Sequence, residues 1–470
     1  MILSTLEQLI NIHNLTNDSL VDFVSGRAKS LGHEVYQDQY DNCIVTCCPK
    51  KEDIETSDLD EVGIVIPLCS LERGLNTKVL ENTAVKNHKQ NSVLNLGEKS
   101  LTNLSQKSID SSSKYLVLED TTPRLATLCK VAMALNLIEN RAKVPFKIIF
   151  TPRDDGKFVG AKMLDISKIN CRNLIALDGG EYDKIFTSNY DSSLVFCKLN
   201  MDKAFMSKDA GFKTFRLKIS CQPKIKRNIF WQRKIVDDGS VGVSSLYSLA
   251  KFLSKDKFMI NSINYIDANK IECVFSTFCD ELKVKAKLLG EYILQKNNYA
   301  GLKIDCTRQA DNFLVLEDTE KFINFVFELY DLEQEIGAVM LDFEPNKGEF
   351  SLQVLSNDKK DLDIKENKLK FLSDKFGAST SVISTINHFE ANEESPLVKT
   401  LKANYVGFEE VKLERGNFAS ELGIFQKKIK KCECVCISPK VLDENLHGER
   451  VEYATVMNTY LWLKKLVCVE

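Results

Sequence analysis

The first third of the chain alternates between helical and extended hydrophobic patterns. Apolar residues recur at helical spacing over residues 4–31. The runs 42–48 (NCIVTCC) and 62–69 (VGIVIPLC) are short, apolar and bounded by turn-forming residues, which is typical of strands buried on both faces of a sheet. Residues 73–114 are polar and predict a loop or irregular excursion. A helix over 123–140, opened by a proline in its first turn, is predicted next.

Acidic residues then follow two predicted strands. The strand 147–150 (KIIF) leads into Asp154 and Asp155, a helix is predicted over 160–166, and the strand 173–178 (NLIALD) ends at Asp178. This strand–helix–strand rhythm predicts an α/β sheet, in which functional sites form at the carboxyl ends of the strands. The sequence therefore places candidate chemistry at that edge.

The middle of the chain has a different pattern. Strands with one polar face are predicted at 211–220, 270–277 and 348–355, and helices at 243–253, 280–295 and 319–329. After them, a helix at 395–405, a buried strand at 432–438 and a helix at 452–467 resemble the first domain resumed. We therefore predict an α/β domain with a central, mostly parallel sheet and helices on both faces, formed by 1–209 and 388–470. An α+β domain, 210–387, is inserted into it.

Composition narrows the class of protein. The 470 residues contain 63 Lys+Arg and 66 Asp+Glu, a formal charge of −3, so no overall field favours nucleic acid or an anionic membrane. No apolar stretch approaches a membrane span, and the start lacks the pattern of a secretory signal, which predicts a soluble, cytoplasmic protein. The odd total of 15 cysteines indicates reduced thiols. Cys432, Cys434 and Cys436 alternate along a predicted strand and favour a buried core over a metal or redox site.

Several segments together carry a resemblance to a known family. The segments 148–165 (IIFTPRDDGKFVGAKMLD) and 173–186 (NLIALDGGEYDKIF) resemble a strand with an acidic pair and a strand ending in an acidic ligand. Residues 211–220, Asn264, 394–405, 421–439 and 447–466 resemble later parts in the same order. Over most of its length, the chain resembles the M20 metallopeptidases, specifically the aminoacyl-histidine dipeptidase (PepD-type, carnosinase-like) branch.

The resemblance implies a fold and a reaction. It implies a catalytic α/β domain with an inserted lid and dimerisation domain. The implied reaction is peptide hydrolysis by two zinc-type ions, a bridging water and a glutamate acting as general base. On this likeness, Asp155 and Asp178 occupy metal-ligand positions, and Asp154 occupies the general-base position. An aspartate there retracts the carboxylate by about one methylene, and misplacements of roughly 1 Å can cost about 100-fold in rate.

The other motif positions depart from the family. The family's metal-binding His-x-Asp falls on Leu68-Cys69-Ser70, and neither an isobutyl group nor a hydroxyl replaces an imidazole and a carboxylate. At the remaining positions, the family's bridging Asp falls on Pro123 of this chain and its closing His on Asn445. The family's lid His falls on Arg233, and its substrate-binding Arg falls on Leu355. The resemblance thus predicts the scaffold of a dipeptidase with a degenerate metal site.

Alternatives remain open for these residues. The acidic pair and Asp178 with its following glycines would also suit solvated turns. Replacement ligands are available in Cys69, Glu119 and Asp120, and His447, two residues out of register, is either a ligand or an exposed loop residue. Trp231, within a basic stretch, favours a lid edge or dimer contact over a nucleic-acid surface, and 427–431 (KKIKK) is typical of a solvated hairpin.

Two hypotheses of function follow, with a third behind them. The first is a non-catalytic M20-like protein, a pseudoenzyme without a cofactor, which acts by binding or oligomerisation as a homodimer or heteromer through its lid. The second is an active or weakly active Xaa-His dipeptidase with a rebuilt site for Zn or Mn. The third, an unrelated α/β binding protein, requires the matching fragments to be coincidence. We expect neither a nucleic-acid nor a membrane partner.

Overall fold

The structure is a computed structural model that describes residues 2–10, 12, 16–52, 59, 61–69, 115–117, 125–153, 157–207, 211–220, 227–228, 232–233, 258–267, 270–280, 284, 303–344, 347–407, 410–416, 418–442 and 450–469. Its strands are β1 Glu34–Gln37, β2 Cys43–Cys47, β3 Val62–Cys69, β4 Tyr115–Val117, β5 Phe146–Arg153, β6 Asn173–Leu177, β7 Lys184–Ser188, β8 Asp191–Lys198, β9 Lys203–Phe205, β10 Lys213–Ser220, β11 Arg227–Asn228, β12 Gln232–Arg233, β13 Met259–Asp267, β14 Lys270–Thr277, β15 Lys303–Arg308, β16 Leu314–Leu316, β17 Val339–Glu344, β18 Glu349–Ser356, β19 Ser379–Ile386, β20 Lys412–Arg415, β21 Glu433–Ile437, β22 Val441–Leu442 and β23 Arg450–Glu452. Its helices are α1 Ile2–Ile10, α2 Asn17–Ser30, α3 Leu125–Ile138, α4 Val159–Met163, α5 Ile166–Ile169, α6 Thr319–Ile336, α7 Lys359–Lys375, α8 Pro396–Asn404, α9 Leu422–Lys428 and α10 Tyr453–Val467.

The chain divides into two compact units. The α/β unit consists of Met1–Asp191 and Ile386–Glu470, and the inserted unit consists of Ser192–Thr385. The inserted unit begins earlier than the predicted residue 210, because β8 is an inner strand of its sheet β17-β18-β8-β19. The predicted fold class, an α/β domain carrying an inserted α+β domain, is confirmed.

The α/β unit is organised by one eight-stranded sheet. Its strand order is β1-β2-β5-β3-β6-β21-β7-β20. Four of these pairings are parallel: β5 with β3, β3 with β6, β6 with β21, and β7 with β20. Strand β2 is antiparallel to both of its neighbours, β1 and β5. The inner strands are buried almost throughout, as their continuous apolar runs predict.

Helices cover the sheet on both faces. One core cluster joins Ile64, Ile148 and Val435 of the sheet to apolar side chains of α1, α2, α3, α8 and α10. Helices α4 and α9 contact β5, β21 and each other on the opposite side. Every residue of α3 is buried, which suits a helix that is apolar all round. In α10, the indole Nε1 of Trp462 donates a hydrogen bond to the carbonyl of Leu401, 2.8 Å away, and so joins this helix to α8.

The inserted unit has its own core. Its larger sheets have the orders β13-β14-β10-β15 and β17-β18-β8-β19. Phenylalanines of α6, β14 and β18 pack with leucines of α7 in a second hydrophobic cluster. The helix predicted over 319–329 extends to Ile336 and ends at Gly337, which has a positive φ of 68°. The predicted helix at 243–253, and most of the one at 280–295, lie outside the described residues.

Two details differ from, or refine, the sequence prediction. The single helix predicted over 160–166 is instead two short helices, because the side chain of Asp165 accepts a hydrogen bond from the backbone of Ser167 and caps α5. The three alternating cysteines of β21 and its approach are buried, and the Sγ atoms of Cys432 and Cys434 lie 3.6 Å apart. Burial raises the pKa of Cys434 well above its usual value, as expected of a core thiol.

No helix among the described residues is long and apolar enough to cross a membrane.

Asn189 connects three segments of the α/β unit. Its side-chain carbonyl accepts a hydrogen bond from the backbone N–H of Phe389 (2.8 Å), and its amide donates to the carbonyl of Phe418 (3.0 Å). The backbone of Ala391 also donates to Thr187 (2.7 Å), so residues 187–189 and 389–391 are held side by side. Because Asn189, Phe389 and Phe418 are fully buried, water is not available to replace these bonds.

Replacement of Asn189 by alanine is therefore expected to destabilise the α/β unit. The change leaves two buried backbone groups without partners, at about 1–3 kcal/mol for each. Urea unfolding followed by circular dichroism measures the loss. Asn392→Ala, at an exposed asparagine of the same unit, is the control, and we expect a change within about 0.5 kcal/mol. Equal unfolding midpoints for the two variants would contradict the role of Asn189.

Candidate functional site

The carboxyl ends of four parallel strands meet at one edge of the large sheet. Strands β5, β3, β6 and β21 are neighbours in that order and run in the same direction. Leu68 of β3 lies opposite Pro152 of β5 in the register, and Asp178 comes directly after β6. This edge is where the βαβ pattern places a functional site, and it is called the carboxyl edge below.

Asp178 is the predicted ligand that the structure describes best. It is 1 % exposed, and its backbone N–H donates to the carbonyl of Ile437 (3.0 Å), which continues the pairing of β6 with β21. Its Oδ1 accepts a hydrogen bond from the N–H of Gly179 (2.9 Å). The carbonyl of Gly180 accepts from Val441 (2.9 Å), so the chain turns while it remains tied to the segment after β21. A turn is therefore present after Asp178, but its residues are buried and it is not the solvated turn that was one of the alternatives.

Gly179 fixes the conformation of that turn. Its φ is +101°, a region that residues with a Cβ rarely adopt, and a Cβ built there would lie 2.5 Å from Cε2 of Phe186. The ring of Phe186 packs edge-on against Phe418, with centroids 5.2 Å apart. The carboxylate of Asp178 is thus held beside a glycine that packs directly against an aromatic pair.

Leu68 presents hydrocarbon at the same edge. Its side chain is completely buried and belongs to the core cluster that contains Ile66 and Phe150. An aliphatic side chain offers no lone pair to a metal ion. At the position that the resemblance gives to the histidine ligand, the chain therefore contributes to the core.

The other predicted site residues have different outcomes. Leu355 lies in β18 of the inserted unit and is half-buried, and its carbonyl accepts a hydrogen bond from Nζ of Lys365 (2.9 Å). Arg233 lies in the short strand β12, where it pairs with Arg227. The candidates outside the described residues are Ser70, Glu119, Asp120, Pro123, Asp154, Asp155, Trp231, Asn445 and His447. Of the retained ligand positions, the structure thus describes Asp178.

Two buried polar groups near the carboxyl edge were not predicted as site residues. Glu421 is fully buried at the start of α9, and its neighbour Ser420 lies 3.8 Å from Sγ of Cys436 in β21. Thr151 of β5 is fully buried, and its Oγ1 has no hydrogen-bond partner among the residues that the structure describes. The sequence signal for Glu421 was its place in the segment 421–425 (ELGIF), which contributed only to the resemblance.

Comparisons with known proteins give matches in structure alone. No protein-family model matches the sequence, and no curated protein matches it either. The crystal structure of aminoacylhistidine dipeptidase from Vibrio alginolyticus superposes with a TM-score of 0.54 at 12 % identity, covering 100 % of this chain and 97 % of that one. The chain has the M20 dipeptidase fold.

Further matches have lower TM-scores. Human carnosine dipeptidase 1 matches with a TM-score of 0.48 at 12 % identity, over 98 % of this chain and 95 % of that one. Aminopeptidase PepT from Bacillus cereus matches with a TM-score of 0.47 at 12 % identity, over 98 % and 96 %.

The donor atoms at the carboxyl edge can be compared with the needs of a two-metal centre. Two close dications require several carboxylate and imidazole ligands, because their charge must be neutralised and their geometry fixed. Among the described residues, no group of three or more His, Cys, Asp or Glu side chains is placed to hold a metal ion. Leu68 adds no donor, and the hydroxyl of Thr151 is a poor ligand for zinc. The described donors therefore do not fit such a centre.

The packing at Gly179 predicts a specific sensitivity. Gly179→Ala is expected to lower the free energy of unfolding by roughly 2–5 kcal/mol: about 1–2 for the left-handed backbone and about 1–3 for the contact with Phe186. Gly32→Ala is the matched control, because Gly32 also has a positive φ, +82°, but has no atom within 4 Å of the added Cβ. Urea denaturation compares the two variants. A loss no larger than that of Gly32→Ala would show that the close packing is wrong.

Proposed function

We propose that this chain is a non-catalytic protein with the M20 dipeptidase fold, which acts by binding and first of all by association with a second copy of itself. The observation that carries the proposal is Leu68, a fully buried aliphatic side chain at the carboxyl end of β3. Restoring a ligand there would require a polar atom within the core cluster, at a cost of several kcal/mol unless a metal compensated it.

Two further observations support the loss of catalysis. One carboxylate oxygen of Asp178 accepts a hydrogen bond from the N–H of Gly179, and this bond stabilises the turn. Leu355 supplies an aliphatic group where the resemblance gives the family an arginine for the substrate. Leu68 and Leu355 therefore lack the groups that metal binding and substrate recognition would need.

One observation favours the competing function, an Xaa-His dipeptidase with a rebuilt site for zinc or manganese. Asp178 keeps a buried carboxylate at the strand end where open α/β sheets place their sites. A carboxylate at this position is a suitable ligand for either ion. The two functions differ in what the purified protein does with a dipeptide.

The activity test uses the full chain with Xaa-His dipeptides and added zinc or manganese, and it measures the release of free histidine. The aminoacylhistidine dipeptidase of Vibrio alginolyticus is the positive control. We expect no turnover above the rate without protein and, by elemental analysis, less than one equivalent of metal. Metal-dependent turnover that Asp178→Asn abolishes would overturn the non-catalytic assignment, because that variant keeps the size of the side chain while it removes the charge.

The edge strand β19 supports self-association. It lies at the edge of the sheet β17-β18-β8-β19, and its sequence, STSVISTI, contains no charge and no proline. Proteins usually protect exposed edge strands with charges, prolines or bulges, because free backbone groups pair with other chains. Val382 and Ile383, at the centre of β19, are both exposed. Among the strands that the structure describes, β19 is hydrogen-bonded to β8 alone, so its other side can pair with a further strand.

The sequence of β19 is nearly the same when it is read in either direction. This symmetry favours a second copy of the same strand as the pairing partner. In an antiparallel pair about a two-fold axis between Val382 and Ile383, Val382 faces the partner's Ile383, and Thr380 faces the partner's Thr385. Pairs of β-branched residues stabilise such contacts. A second copy of this chain therefore matches the edge without further change.

Helix α7 lies next to β19. Oγ of Ser193 in β8 hydrogen-bonds both to Glu366 of α7 and to Thr385 of β19, so the helix and the edge strand lie side by side. Ile364 and Phe371 are 55 % and 75 % exposed and lie on the face of α7 that points away from Glu366. These exposed apolar side chains favour a further contact surface on the same unit, separate from the edge of β19.

The full chain is expected to be a dimer at micromolar concentration in analytical ultracentrifugation. The double variant Val382→Lys/Ile383→Lys brings like charges together across the two-fold axis and should be a monomer. Phe205→Lys is the control, because Phe205 is 84 % exposed on β9 of the same unit and should leave the dimer unchanged. A monomeric wild-type protein, or a dimer that survives the double lysine change, would refute this interface. Neither result bears on the dipeptide assay.

A further inference from the structure

The amino ends of β6 and β21 bring basic residues together at the edge of the sheet opposite to the carboxyl edge. The register pairs Glu433 of β21 with Asn173 of β6, and the N–H of Glu433 donates to the carbonyl of Arg172 (2.8 Å). The residues that precede these two strands therefore enter the sheet side by side. They are Arg172 on one strand and Lys430 and Lys431 on the other.

Helices α9 and α4 add cations to the same place. Helix α9 ends with Lys427 and Lys428, immediately before the segment that leads into β21. Nζ of Lys428 donates a hydrogen bond to the backbone carbonyl of Lys162 in α4. Burial lowers the pKa of both Lys162 and Lys428. We call Lys162, Arg172, Lys427, Lys428, Lys430 and Lys431 the amino-edge cluster.

Density distinguishes this cluster from other lysines on the surface. Some lysines elsewhere are matched with carboxylates, as in Lys184 with Glu414, Lys368 with Glu335 and Lys375 with Glu328, and others are not. Within the described parts of the chain, the side chains of Arg172, Lys427, Lys428, Lys430 and Lys431 have no carboxylate within ion-pair distance. Four of these lysines lie within residues 427–431, beside Arg172 at the start of the neighbouring strand, so a chain of almost balanced charge concentrates cations at one edge.

The ends of helices explain part of the cluster. Cations are favoured in the last turn of a helix, which accounts for Lys427 and Lys428. It does not account for Arg172, which precedes a strand, or for Lys431, whose φ of +56° suits glycine or asparagine better than lysine. Helix stability therefore does not account for the charge at these two positions.

The chemistry of the cluster favours carboxylates as its ligand. Five of its six members are lysines, whose ammonium groups act as separate point charges and do not require the fixed geometry of a bidentate ligand. Exposed aromatic side chains, on which the bases of single-stranded nucleic acid stack, do not occur among residues 157–172 and 426–433. A row of carboxylates on a flexible segment matches these charges in sign and spacing.

We propose that the amino-edge cluster is a docking surface for an acidic segment, rich in Asp and Glu, of a protein partner. The ligand binds by charge complementarity along residues 427–431 and Arg172. This surface belongs to the α/β unit and does not depend on whether the chain hydrolyses dipeptides or pairs through β19.

Fluorescence anisotropy with the full chain and a labelled twelve-residue glutamate peptide tests the proposal, with the corresponding glutamine peptide as the negative probe. We expect binding of the glutamate peptide that weakens steeply as salt rises from 50 to 200 mM, since screening shortens the range of charge interactions. Lys430→Gln/Lys431→Gln should bind about tenfold more weakly, on the order expected for two exposed ion pairs. Lys360→Gln/Lys370→Gln, at two exposed lysines of α7 in the inserted unit, removes the same charge and should bind like the wild type.

Three results would overturn the proposal. The first is absence of binding at 50 mM salt. The second is an equal loss of affinity in the two double variants, because the loss would then depend on the net charge of the protein and not on the amino-edge cluster. The third is binding of single-stranded DNA, or of vesicles that contain phosphatidylserine, at least as tight as that of the glutamate peptide, because the ligand would then be a phosphate polyanion.

Discussion

The parallel pairing of β5, β3, β6 and β21 is the constraint on which the α/β unit depends. Parallel strands need crossover connections, and these connections place helices on both faces of the sheet. The strands must then be apolar on both faces, as Val65, Ile175 and Val435 are. Only the two ends of the strands remain for polar chemistry, so both edges of this sheet follow from the same pairing.

The two edges of the sheet differ in their side chains, which are mainly buried at the carboxyl edge and mainly exposed and basic at the amino edge. At the carboxyl edge, Leu68 extends the core, and Asp178 is enclosed beside Gly179 and the aromatic pair. At the amino edge, Arg172 and Lys431 stay in solvent because they stand directly outside the first paired residues of β6 and β21. Packing therefore dominates at the carboxyl edge, whereas charge dominates at the amino edge.

The sequence was sufficient for the scaffold because the scaffold rests on periodicity. The runs of β3, β6 and β21 are apolar without interruption, and the alternating strands of the inserted unit are not, so the two kinds of sheet could be told apart. The features that the sequence pattern did not predict depend on local turns and on contacts between distant residues. The break between α4 and α5 depends on one capping bond of Asp165, and the role of Gly179 depends on Phe186 and Phe418, which are distant in sequence. The burial of Glu421 was equally unreadable, since nothing in its neighbours marks one carboxylate among many as enclosed.

The proposed non-catalytic function gives Leu68 an energetic explanation. Enzymes keep polar groups at their sites at a cost in stability, because desolvated ligands and strained turns are held in place by the rest of the fold. Full burial of a leucine side chain contributes roughly 1.5–3 kcal/mol relative to exposure. If hydrolysis is not required of this chain, an apolar residue at the end of β3 replaces that cost by a gain of similar size. A histidine at this position would lose the packing of Leu68 before a bound metal could compensate for it. On the proposed function, stability therefore determines the residue at the end of β3, and binding surfaces form at positions that the core does not need.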